Sequence, residues 1–194
     1  PRHLRLPWWH PTLSALRSPE VPDRPRFCNF LYSACHPHRE RFFTRLSRYK
    51  PIDAPGRSMN NMPALGGRRS ALDSRSATSW EAEKLEFLRN YKFTIAFENQ
   101  SVSGYTSEKL YQPMLVGSIP IYWGNPQVHR DYNCRSFFNS HEFASEEELV
   151  ERIIAVDQSP ELYQEMMKQP WSTGQVEAHR ELLQQRFAEI LGRV

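Results

Sequence analysis

Apolar and polar positions follow one another along the chain in short blocks of changing period. Arg26 to Ser33 opens the clear pattern. Phe27, Cys28, Phe30, Leu31 and Tyr32 form a nearly continuous apolar run with Asn29 as its one polar interruption, which predicts a buried parallel strand. From Arg39 to Tyr49 the period lengthens. Phe42, Phe43 and Leu46 fall on one face and Arg41, Arg45 and Arg48 on another, which predicts a helix. Pro51 to Thr78 is polar and rich in turn formers, with Ile52-Asp53 as a short strand ahead of a turn at Pro55-Gly56-Arg57. Thr78 or Ser79 is placed to cap a helix from Trp80 to Arg89, with Leu85 and Leu88 inward.

The next block is the densest. Phe93 to Phe97 predicts a buried strand that ends at the polar pair Glu98-Asn99. A loop with Ser101, Ser103 and Gly104 follows. Thr106 is the expected N-cap of a helix opening at Ser107-Glu108-Lys109, Gly117 its expected stop, and Ile119 to Trp123 the next strand. Beyond it, Asn125-Pro126 predicts a turn and Gln127 to Arg130 a helical turn. Phe137, Phe138, His141 and Phe143 form an aromatic cluster expected in the core. Ser145-Glu146-Glu147-Glu148 predicts a capping box before Leu149, Ile153 and Ile154. Ser159 is placed to cap a further helix, and Thr173 to Leu191 predicts a long amphipathic one. Strands alternating with helices predict an α/β fold: a Rossmann-like parallel sheet flanked by helices. Residues 1–25, rich in Pro, Arg and Trp, are expected to be a linker segment, and residues 26–194 one domain.

Composition bounds the function without choosing it. The chain has 194 residues, 39% hydrophobic and 24% charged, with a net charge of +3. It suits one domain or one lobe of a larger enzyme, and its mildly basic balance fits an anionic ligand. Cys28, Cys35 and Cys134 have no zinc spacing, and their odd number argues against a complete disulfide framework. No signal peptide or membrane-length apolar run is visible. The chain begins at Pro1 without Met and reads as part of a longer protein.

The candidate chemistry gathers after the strand at Phe93–Phe97. Loops at the carboxyl ends of strands in open α/β sheets bind ligands. Lys109 is out of place in a first helical turn, where a carboxylate such as Glu108 is favoured. A lysine beside free N–H groups suits a phosphate. Its plainer alternative is a solvated lysine screened by Glu108. Asn99 both donates and accepts, which suits ribose or sugar hydroxyls. Tyr105 suits stacking on a base or holding a phosphate oxygen, and Glu108 suits accepting from hydroxyls. Loop capping is the alternative for Glu98 and Asn99, and a core position that for Tyr105.

The motifs Tyr91-Lys92-Phe93, Phe97-Glu98-Asn99, Tyr105-Thr106-Ser107-Glu108-Lys109 and Ile119-Pro120-Ile121-Tyr122-Trp123-Gly124, in this order and spacing, resemble the Lewis-type α-1,3-fucosyltransferases that use GDP-fucose (glycosyltransferase family 10). The family usually has Thr where Ser107 stands. The resemblance extends weakly from about Arg2 to about His141, and Pro55-Gly56 departs from it.

The resemblance implies the donor-binding lobe of a two-lobe GT-B glycosyltransferase. It places Asn99, Tyr105, Glu108 and Lys109 in the donor pocket, with Glu98 beside them. Arg39, at the start of the first helix, is implied as partner of Lys109 on the GDP diphosphate, where two cations would neutralise the leaving nucleotide. A solvated arginine on a basic helix is the alternative. The implied reaction is inverting transfer of fucose to a hydroxyl of an N-acetylglucosamine- or glucose-containing glycan. It needs no cofactor and no metal, positive side chains standing in for the ion. The general base is implied in an amino-terminal acceptor lobe, so this chain alone is expected to bind donor and to transfer little. A bacterial cytoplasm or membrane periphery is favoured over a Golgi lumen, which animal members with membrane anchors suggest. Two rivals remain: another nucleotide-sugar transferase lobe, and a non-catalytic nucleotide- or nucleic-acid-binding module. The second would show steep salt dependence. Few clustered cations and no aromatic stripe argue against nucleic acid.

Overall fold

A computed structural model describes residues 24–65 and 77–172, with isolated positions at 185, 188, 189 and 192. The linker expected over residues 1–25 lies almost wholly outside this range. So do the basic stretch Gly66-Gly67-Arg68-Arg69 and nearly all of the helix expected from Thr173.

Five parallel strands form the sheet, β1 (Arg26–Asn29), β2 (Ile52–Asp53), β3 (Tyr91–Phe97), β4 (Ile119–Trp123) and β5 (Phe138–Asn139), in the order β2-β1-β3-β4-β5. Helices α1 (Pro37–Leu46), α2 (Ala77–Leu88) and α3 (Glu108–Leu115) link the first four strands, and α4 (Glu146–Gln158) and α5 (Pro160–Lys168) follow the fifth. Strand order reverses between β1 and β3, so the chain leaves their carboxyl ends in opposite directions. That opens the crevice in which doubly wound sheets place ligands.

Alternation along the strands builds two cores. Phe93, Ile95 and Phe97 of β3 and Ile119 and Ile121 of β4 point to the face covered by α1, α4 and α5, where Phe42, Leu46, Leu149, Ile153 and Tyr163 meet them. Ala96 and Tyr122 point to the other face, against Leu110 and Met114 of α3 and Trp171. Asn29 interrupts β1 for a reason: its amide donates to Thr94 Oγ1 at 2.8 Å, and Thr94 is hydrogen-bonded to Ser118 Oγ at 2.8 Å. A buried polar seam thus joins β1, β3 and the residue just ahead of β4.

Several expected boundaries move. β1 stops at Asn29 rather than Ser33. Past it, the Tyr32 hydroxyl lies 3.0 Å from the carbonyls of Ile95 and Phe97 and accepts from the Phe97 amide at 2.6 Å, so a side chain replaces the backbone ladder. α1 spans Pro37–Leu46 rather than Arg39 to Tyr49, because Pro37 suits the first helical turn, where no N–H is needed. α2 begins at Ala77, so Thr78 and Ser79 lie inside it instead of capping it. Ser145 and Ser159 cap α4 and α5. In the box at α4, Glu148 reaches back to the Ala144 amide, one residue before the cap. Gly117 ends α3 at φ +74, a left-handed conformation that glycine adopts without strain.

Candidate functional site

The three residues at the end of β3 organise the crevice. Glu98 is wholly buried. One carboxylate oxygen accepts from the Ser107 amide at 2.7 Å and the other from Ser107 Oγ at 2.8 Å. A buried carboxylate thus holds the amino end of α3, where the helix dipole favours negative charge. Ser107, not Thr106, is the N-cap. Thr106 Oγ1 instead accepts from Asn125 Nδ2 at 3.0 Å. Both hydroxyls make good caps, and the reach of Glu98 to Ser107 decides between them. The amides of this helix end are accordingly not bare: that of Ser107 goes to Glu98, and that of Lys109 to Ser107 Oγ at 3.4 Å.

Lys109 turns back over this cap. Its ammonium lies 3.0 Å from Ser107 Oγ, 3.4 Å from Glu98 and 3.4 Å from Glu108, and it keeps partial contact with solvent. Burial works to raise the Glu108 carboxyl, but the charges of Lys109 and Lys84 and its own amide outweigh that and hold it below its ordinary range. Glu108 is half-buried, so Lys109 is screened from both sides rather than free in solvent.

Arg39 arrives from the opposite face of the sheet, on α1. It is 1% exposed, which excludes a solvated position. Its Nε and Nη2 donate to the Phe97 carbonyl at 3.1 and 2.9 Å, and Nη2 also donates to Asn99 Oδ1 at 2.6 Å. The guanidinium lies 4.2 Å from the Tyr32 ring centre. Burial lowers its pKa from the ordinary value, yet an arginine stays charged. The early end of β1 is what admits it: past Asn29 no strand pairs with this edge of β3, and the Phe97 carbonyl is shared by Arg39 and the Tyr32 hydroxyl.

Asn99 is exposed and oriented by Arg39. Tyr105 is 46% exposed, so it is not a core aromatic. The loop carrying it is tied down by a residue that turn chemistry alone did not single out. Asn125 is fully buried, and its side chain accepts from Gly104 N at 2.8 Å and donates to Thr106. Ser101 Oγ donates to the Gly124 carbonyl at 2.7 Å. Arg39, Glu98, Asn99, Glu108 and Lys109 therefore share one end of β3, with Tyr105 on the tethered loop above them.

A second group went unnoticed in the sequence. Lys84 of α2 faces Glu108 and Lys109, and burial, more than the repulsion from Lys109, lowers its pKa against the pull of Glu108. It lines a cavity of about 830 Å³ together with Leu31, Arg57, Asn60 and Trp80. Its signal was its place one turn before the fully buried Leu88, on the inward stripe of the helix. Among the described residues, no three of His, Cys, Asp and Glu gather as a metal site, and no helix is long and apolar enough to cross a membrane.

Comparison with known proteins gives this geometry a context. The model of glycosyltransferase family 10 (fucosyltransferase), C-terminal, matches residues 21–188. The chain is 32% identical to an α-(1,3)-fucosyltransferase of Helicobacter pylori over 160 residues, covering 81% of this chain and 30% of that protein. It is also 32% identical to a GDP-fucose protein O-fucosyltransferase 3 of Bos taurus, covering 70% of this chain and 28% of that one. A crystal structure of an α1,3-fucosyltransferase with GDP-fucose superposes with a TM-score of 0.62 at 26% identity, over 81% of this chain and 47% of that chain. The chain thus spans less than half the length of the relatives it matches.

Proposed function

The chain belongs to glycosyltransferase family 10 (fucosyltransferase), and we propose that it is the GDP-fucose-binding lobe of an inverting α-1,3-fucosyltransferase. The observation that carries this reading is the meeting of two cations from opposite faces of the sheet on Phe97–Asn99. Arg39 binds the Phe97 carbonyl and Asn99, and Lys109 stands over Glu98. A diphosphate at the β1/β3 switch point would lie between them. Arg39 and Lys109 offset the charge that develops on GDP as its bond to the fucose anomeric carbon breaks. Asn99 and Glu108 bond ribose or fucose hydroxyls, Tyr105 covers the diphosphate, and Glu98 positions Ser107 and Lys109. The cavity beyond Lys84 gives the nucleoside room.

Inversion further requires a base that takes the proton of the attacking acceptor hydroxyl on the face opposite GDP. We assign that carboxylate to an amino-terminal lobe that also selects the glycan. The chain by itself therefore binds donor and transfers little. Relatives named for α-1,3 transfer and for protein O-fucosylation share this lobe, which fits acceptor choice residing elsewhere. Competition among GDP, UDP and ADP for the chain tests the reading. GDP displacing both others supports it, and equal affinities would favour a lobe for another nucleotide sugar.

A further inference from the structure

Lys109 and Arg39 are held in opposite ways. Lys109 has two carboxylates within ion-pair reach, Glu98 and Glu108. Arg39 has none among the described residues. Its side-chain partners are the Phe97 carbonyl, the Asn99 amide oxygen and the ring of Tyr32. A buried charge without a counter-ion is costly, and a bound anion offsets that cost. The π face of Tyr32 attracts the guanidinium, 4.2 Å from the ring centre, without cancelling its charge. It fixes the cation and leaves the charge for a ligand.

Tyr32 is itself firmly fixed. Its hydroxyl accepts from the Phe97 amide at 2.6 Å, and its proton lies between the Ile95 and Phe97 carbonyls, each at 3.0 Å. Burial raises its pKa against the pull of Arg39, so the phenol stays neutral. Phe30 braces the ring at 4.7 Å and 56°. The turn after β2 pins the backbone. There the Ser58 amide donates to the Tyr32 carbonyl at 3.0 Å, and Ser58 Oγ donates at 2.8 Å to Glu40, the neighbour of Arg39 on α1. Gly56 permits this approach, because a Cβ there would lie 2.2 Å from the Tyr32 carbonyl oxygen. Tyr32 also borders a small pocket of about 20 Å³ together with Lys84 and Lys109. One residue thus meets the cation of α1 and borders those of α2 and α3.

We propose that Tyr32 is a positioning residue for the diphosphate: its ring holds Arg39, still charged, at the end of β3. The role rests on Arg39 being a diphosphate ligand, as argued above. It divides two tasks within one side chain. The ring sets Arg39, and the hydroxyl closes the edge of β3 beyond β1.

Tyr32→Phe and Tyr32→Leu separate these tasks. The probes are GDP and guanosine, which share base and ribose and differ in the diphosphate, each titrated by calorimetry. Tyr32→Leu, which loses the ring, is expected to bind GDP about tenfold more weakly, a 1.4 kcal/mol loss, with its guanosine affinity unchanged. Tyr32→Phe, which keeps the ring, is expected to bind both as the wild type does but to unfold at lower urea, because the Phe97 amide loses its acceptor. Gly56→Ala, which crowds an unaltered Tyr32, is expected to repeat the loss for GDP alone. A readout free of nucleotide accompanies these. The ¹H–¹⁵N signal of Arg39 Nε–H, assigned with Arg39→Lys, is expected to stay shifted by the ring current in Tyr32→Phe and to lose that shift in Tyr32→Leu. Equal loss of GDP affinity in the Phe and Leu variants, a parallel loss for guanosine, or an Arg39 signal unmoved by Tyr32→Leu would overturn the role of Tyr32. A wild type that binds no GDP refutes the proposed function and this role with it. Wild-type GDP binding that both variants retain refutes this role alone.

Discussion

The ammonium of Lys109 stands 3.4 Å from the carboxylate of Glu98, which has no exposure to solvent. The pair joins the residue that follows β3 to the first turn of α3. Ser107, bonded by both its amide and its hydroxyl to the same carboxylate, closes the link. Glu98→Gln keeps the size but loses the charge and presents a donor to the Ser107 amide or hydroxyl. Loss of a charged hydrogen bond of this kind costs about 1.5–3 kcal/mol. Urea denaturation of Glu98→Gln is expected to show that loss. Unchanged stability would mean that Glu98 does not hold α3.

Gly124 supplies the space that Glu98 occupies. A Cβ there would lie 2.4 Å from Glu98 Cγ and 2.7 Å from the Tyr122 hydroxyl, both buried and hydrogen-bonded. Gly124→Ala is therefore expected to destabilise the fold by about 1–3 kcal/mol, the usual range for overpacking, and to weaken GDP binding through Glu98. Thermal unfolding and calorimetry together check both effects.

At the far end of β3, Asp157 of α4 carries a side chain 1% exposed and accepts from Lys50 Nζ at 2.5 Å, Lys92 Nζ at 2.9 Å and the Tyr49 hydroxyl at 2.9 Å. Burial pushes its carboxyl up, but these three donors outweigh it and leave the pKa below the ordinary aspartate value. A folded-state pKa below the unfolded one contributes stability above the unfolded pKa, lost as pH falls through the folded one. Asp157→Asn is thus expected to be less stable than the wild type near neutral pH. The gap should narrow as acid titrates the wild-type carboxylate. Denaturation midpoints measured from pH 7 downward check the sign, and a gap that widens in acid would refute it.

Much of this was legible in the sequence. The β3–α3–β4 unit stands out because two apolar runs are bounded by Glu98-Asn99 and Gly117, and the motif residues fall at its turns. What the sequence hid depends on contacts between distant segments. Nothing local says that Tyr32 leaves β1 to satisfy the Phe97 amide, so the burial of Arg39 against Phe97 is not legible in its own helix, where only the family resemblance sets it apart from Arg41, Arg45 and Arg48. Thr106 and Ser107 are equivalent caps until Glu98 chooses. Asn125 reads as half of an Asn-Pro turn, yet it fixes the loop of Tyr105 across 21 residues of sequence. His38 and His141 are 103 positions apart in the chain, His141 minus His38, and only the fold brings both to Trp123.

Lys84 lies beside Glu108 and Lys109 and on the wall of the larger cavity. Lys84→Met keeps the stem of the side chain and removes its charge. On the proposed reading it lowers GDP affinity about tenfold, a loss of ~1.4 kcal/mol, with stability unchanged or slightly raised because a buried charge is gone. Fluorescence titration with a labelled GDP analogue checks this, and full affinity in Lys84→Met would place the nucleotide away from α2.

Calorimetric titration of GDP and UDP into the wild type and Lys109→Ala asks whether the cations on Phe97–Asn99 hold a guanosine diphosphate. The expected result is a saturable GDP isotherm for the wild type, none for a folded Lys109→Ala, and no response of either protein to UDP. An isotherm for GDP that survives Lys109→Ala unchanged, or one shared equally by UDP, would refute that role.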